Sequence, residues 1–202
     1  MHIRDKSLSR FSAELASSSP SPGGGGAAAL CGALAAALGG MVVSLTVGKK
    51  KYEANESALR ELGERAEKLR EELLGMIDGD ADAFAPLARA YSMPKDAPDR
   101  EEVLEAALRR AAASPARIAE LCCEVIDILE GCASLGSLLV LSDAASGAAL
   151  AEGALSAAVV NVKVNTALMR SRNHAAALNA HMDELQSEYS ARAAAIRKSL
   201  GY

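Results

Sequence analysis

Tryptophan is missing from this chain, and aromatic residues make up only 3% of its 202 positions. No stretch alternates apolar with polar side chains as a half-buried strand does, so an all-α fold is expected. The four cysteines, Cys31, Cys122, Cys123 and Cys132, form no CxxC pair. That argues against zinc and against a disulfide framework, and it leaves reduced core thiols in a cytoplasmic protein. Only three histidines occur. His174 and His181 stand seven apart with no carboxylate or cysteine at ligand spacing, so no metal is expected. Positive charge is not in excess: 22 Lys+Arg face 26 Asp+Glu, which gives no electrostatic reason for a nucleic-acid partner. The N-terminal MHIRDKSLSRF lacks an apolar stretch after its charges, so no secretory signal is read there.

What is present is helical periodicity. Leu30, Leu34, Leu38, Met41 and Leu45 recur at spacings of three and four inside an uncharged Ala/Gly-rich run, Ala27 to Val47. The run is about as long as a bilayer core requires and is followed by Lys49, Lys50 and Lys51. Its Ala/Gly composition, and the lack of a second comparable span, favour a long helix central to a bundle, without membrane. Leu59, Leu62, Ala66, Leu69, Leu73 and Met76 then form the stripe of an amphipathic helix continuing towards Tyr91. The two prolines of SMPKDAPD, 92–99, close it. Ser114-Pro115 is expected to mark a break or a new start, and the helical period then runs from Ile118 to Tyr189 with weak points at Gly131, Gly136, Gly147 and Gly153. No repeat of about 20–50 residues is visible, so a single helical-bundle domain over 1–202 is preferred to a solenoid.

Four features could carry chemistry. The segment SSSPSPGGGG, 17–26, cannot continue a helix; ahead of one, its glycines offer backbone N–H groups to an anion. It is neither GxxxxGK[ST] nor GxGxxG after a strand. Asp143 is the one ionisable residue in the small, apolar run from Gly131 to Ala151, and is expected to be a buried carboxylate or a helix cap. Asn161 and Asn165, four apart among valines, share a helix face and call for partners: an interhelical bond or a ligand. On a continuous helix they lie about 27 Å from Asp143, so a common site needs a helix break or a second subunit. Lys49 to Lys51 either complement the helix end or turn one or two ammonium groups inward to an anionic ligand.

Together, SSSPSPGGGG at 17–26, SLTVGKKKY at 44–52, DADAF at 80–84, AYSMPK at 90–95, Ser142-Asp143 and NVKVN at 161–165 resemble the cyclodeaminase/cyclohydrolase family in its order, from about residue 8 to residue 200. The family pattern before Ser-Asp reads Gly-Asn, where this chain has Gly136-Ser137. The resemblance implies an all-helical homodimer with its site near the subunit interface, acting on a reduced folate and needing no cofactor beyond that tetrahydrofolate substrate. It implies either hydrolysis of methenyltetrahydrofolate to formyltetrahydrofolate or cyclisation of formiminotetrahydrofolate with release of ammonia. A catalytically silent folate-binding module is the alternative that Ser137 keeps open. By the same resemblance Asp143 and Lys50 are the catalytic candidates. Ser19, Gly23, Gly24, Gly25, Lys49, Asn161 and Asn165 bind substrate, the lysines through the anionic glutamate tail.

Overall fold

The computed structural model describes residues 2–199. Six α-helices follow one another: α1 (Leu8–Leu15), α2 (Gly24–Ser44), α3 (Glu56–Tyr91), α4 (Arg100–Leu135), α5 (Leu141–Leu168) and α6 (Arg172–Ser199). Short 3-10 turns lie at Ile3–Asp5, Lys50–Asn55 and Leu138–Val140, and no strand occurs among the described residues. The single all-helical body agrees with the fold class expected from the periodicity.

Alanine and glycine let α2 be approached from three sides: it packs against α3, α4 and α5. A Cβ on Gly32 would lie 3.0 Å from Cys122 Sγ, and one on Gly147 would lie 2.7 Å from Leu129 Cδ2 and 3.3 Å from the Ala35 carbonyl. The glycines on these faces thus set how closely the backbones meet. With Gly24 against Asn161 and Gly147 against Ala35, α2 and α5 run antiparallel. The larger core side chains, Leu59, Leu73, Ile118, Leu121, Ile126, Ile128, Leu129 and Leu155, fill the spaces around this small-residue seam. Cys122, Cys123 and Cys132 are free and buried in the same core. Burial pushes the Cys123 and Cys132 thiols up to about 12, so they stay protonated.

Three expectations need correction. Ser114-Pro115 does not break the chain: both residues are buried within α4, which is continuous from Arg100 to Leu135. Tertiary packing holds the proline there against its local cost, as it also holds Pro86 inside α3. Of the glycine weak points from 131 to 153, only Gly136 coincides with a turn. A Cβ there would lie 2.8 Å from Val42 Cγ1. That turn is tied down by the Ser137 N–H donating to Thr46 Oγ1 (3.0 Å) and the Leu138 N–H donating to the Tyr52 hydroxyl (3.3 Å). Finally, α2 does have a second comparable span: residues Leu138–Leu168 are also long and apolar enough to cross a membrane by length and composition. In the fold these two spans pack on each other.

Candidate functional site

The glycine run does not end before the helix it introduces. Gly24, Gly25 and Gly26 form the first turn of α2, with Gly23 as its N-cap. The reason lies in what they touch. A Cβ on Gly24 would lie 2.9 Å from Asn161 Nδ2, and one on Gly25 would collide with the Asp80 carboxylate. Asn161 Nδ2 donates to the Ala157 carbonyl (2.8 Å), while Asn165 Nδ2 donates to the Asn161 carbonyl (2.8 Å) and, across to α4, to the Ala111 carbonyl (3.3 Å). That last acceptor exists because Pro115, four residues on, has no N–H to give it. The buried proline and the asparagine pair are therefore two halves of one device.

These groups line a cavity of about 180 Å³ together with Pro20, Ser21, Phe84 and Val164. Sequence reasoning chose Gly23, Gly24, Gly25, Asn161 and Asn165 here, and the fold brings all five together. It missed Asp80. Leu69, Leu73, Ile77 and Leu87 are the buried stripe of α3, and position 80 continues their spacing of three or four. A carboxylate on a core-facing position was a signal available in the DGDADAF stretch. Burial raises the Asp80 carboxyl above its ordinary range, with the Ser114 hydroxyl and the Gly26 N–H pulling it back. Ser114 is 7% exposed; its Oγ faces this carboxylate but makes no hydrogen bond of good geometry. No charged group offsets the burial.

The other candidates lie elsewhere. Ser19 turns its hydroxyl back on the loop, donating to the Ser21 carbonyl (2.6 Å), and does not line the cavity. Lys49 and Lys50 are exposed beyond the far end of α2, about 30 Å from the glycine turn. Asp143 is not the buried carboxylate the apolar run suggested: it is half-buried in the first turn of α5, where the helix dipole favours its charge. Because α5 is continuous from Leu141 to Leu168, the separation of about 27 Å from Asn161 stands. One chain therefore presents two clusters at opposite ends of the α2–α5 pair, and neither contains all the predicted residues.

Sequence comparison adds the lineage. The model of the formiminotransferase-cyclodeaminase family matches residues 7–184. The chain belongs to this family. Among relatives, it is 42% identical over 155 residues to a methenyltetrahydrofolate cyclohydrolase of Methylorubrum extorquens, a match covering 75% of this chain and 74% of that protein. It is 32% identical over 167 residues to the formimidoyltransferase-cyclodeaminase of Rattus norvegicus, covering 81% of this chain but 31% of the longer protein. A solved structure, the formiminotetrahydrofolate cyclodeaminase of Thermotoga maritima, superposes with a TM-score of 0.88 at 25% identity over all of both chains. The family members thus include both the hydrolytic and the deaminating enzyme foreseen from the motifs.

Proposed function

We propose that this protein is a folate-dependent one-carbon enzyme that hydrolyses methenyltetrahydrofolate to formyltetrahydrofolate, with no cofactor beyond the substrate and in the cytoplasm. The observation that carries the choice is the 42% identity to a cyclohydrolase of comparable length. Cyclisation of formiminotetrahydrofolate with loss of ammonia is the second reading, favoured by the structural likeness to a cyclodeaminase.

The cavity supports a folate in part only. Its 180 Å³ is below the roughly 300–1,000 Å³ of pockets that enclose a ligand of that size. What completes it is a second copy of the chain. One face of α2 and α5 leaves large apolar side chains in water: Leu34, Met41 and Leu45 on α2, then Leu139 (86% exposed), Leu150, Val160 (59%), Val164 (61%) and Leu168 along α5 and the turn before it. Exposed apolar side chains along one face suit an interface between copies. Two copies joined antiparallel through it set the Asp143 end of one beside the Asn161–Asn165 end of the other. In that dimer Gly23 to Gly25, Asn161 and Asn165 hold the pterin and orient water, with Ser19 supporting the loop. Lys49 and Lys50 of the opposite copy reach the glutamate tail or, for Lys50, the reacting end, and Asp143 stabilises the cationic methenyl carbon.

The test is the decay of methenyltetrahydrofolate absorbance with purified protein, corrected for spontaneous hydrolysis, beside ammonia release from formiminotetrahydrofolate. Acceleration of the first alone establishes the cyclohydrolase, and of the second alone the cyclodeaminase. Binding of either folate without turnover leaves the silent binding module.

A further inference from the structure

Among the described residues, Asp80 is the only titratable side chain lining the cavity at the start of α2. It reaches that position from the apolar stripe of α3, and the missing Cβ of Gly25 makes room for its carboxylate. Groups facing it are the Gly26 N–H of α2 and the Ser114 hydroxyl of α4. From α5 the cavity receives the neutral Asn161, Val164 and Asn165. A carboxylate desolvated in this way, in a cavity shared with two amides, has neutral groups facing it but no cation to offset its burial.

We propose that Asp80 is the general base and then the general acid of the reaction at this site, an inference that rests on the cyclohydrolase reading above. The carboxylate takes a proton from a water whose oxygen bonds to the methenyl carbon, giving a neutral carbinol and Asp80 as the free acid. The acid returns that proton to one of the two nitrogens as its bond to the carbon breaks, while the carbinol O–H loses its proton to solvent and becomes the formyl C=O. One water is consumed and one proton released, with no oxidant or reductant. Burial supports this role because a carboxyl raised from its ordinary range exchanges protons nearer neutral pH.

The decisive experiment compares wild type, Asp80→Asn and Ser114→Ala by methenyltetrahydrofolate turnover across pH and by folate binding. Asparagine keeps the shape and can still accept the Gly26 N–H, so Asp80→Asn should bind folate with near-wild-type affinity while kcat falls at least 100-fold, the lower end of general acid–base effects. Ser114→Ala removes the hydroxyl that faces the carboxylate and favours its charged form, so the acidic limb of the pH profile should move to higher pH. Asp80→Asn within a few-fold of wild-type kcat overturns the proposal, as does an unmoved acidic limb in Ser114→Ala if the asparagine variant fails to fold. A wild-type protein inert towards methenyltetrahydrofolate overturns the functional reading itself, and that outcome is distinct from either.

Discussion

At position 80 a single carboxylate is set against the stability of the chain that carries it. Its carboxyl is raised above the ordinary value by burial, so the native state binds its proton more tightly than the unfolded chain does. Stability therefore falls as pH rises from the unfolded value through the folded one. Asp80→Asn removes that loss: its Tm should exceed that of wild type at pH 7, and the difference should vanish below the ordinary carboxylate range. Thermal melts at both pH values check this, and equal differences at both would contradict it. Asp143 stands half-buried at a helix N-terminus. Asp143→Ala should cost no more than about 1 kcal/mol through the dipole while reducing turnover, as measured by denaturant titration beside the absorbance assay.

At the level of elements, two helices carry the cost of the site. In α4, Pro115 leaves the Ala111 carbonyl to Asn165. Pro115→Ala gives that carbonyl an N–H four residues on, so the helix should gain stability while Asn165 loses its exclusive hold. The expected outcome is a higher Tm together with a raised KM for folate. In α5, Gly147 lets the helix meet α2 and Leu129. Gly147→Ala forces Leu129 or the α2 backbone to move and should destabilise by about 1–3 kcal/mol, despite the better helix propensity of alanine. A urea midpoint at or above that of wild type would show that the seam yields freely.

For the whole molecule, the question is how two clusters about 27 Å apart on one helix serve one reaction. In the proposed dimer, Val160→Glu places a charge at the centre of the exposed α5 face and should give a monomer in sedimentation, with activity lost in step. Complementation is the sharper check. Asp143→Asn and Asn165→Ala copies, each inactive alone, should regain up to about a quarter of wild-type activity when co-expressed, since half the dimers are mixed and each of those has one intact site. No recovery would exclude a site shared between the two copies.

Period and composition alone determined the helical class and the closing of α3 at SMPKDAPD, because amphipathic spacing and helix breakers are local properties, whereas the grouping of the glycines with Asn161 and Asn165 came from the family resemblance. They misjudged Ser114-Pro115, since proline's local cost says nothing of a neighbour such as Asn165 that uses the freed carbonyl. Nor did they single out Asp80, which has acidic neighbours in sequence yet is desolvated in the fold. Burial is a property of how α2, α3, α4 and α5 pack, and only the tertiary structure decides which carboxylate loses its water.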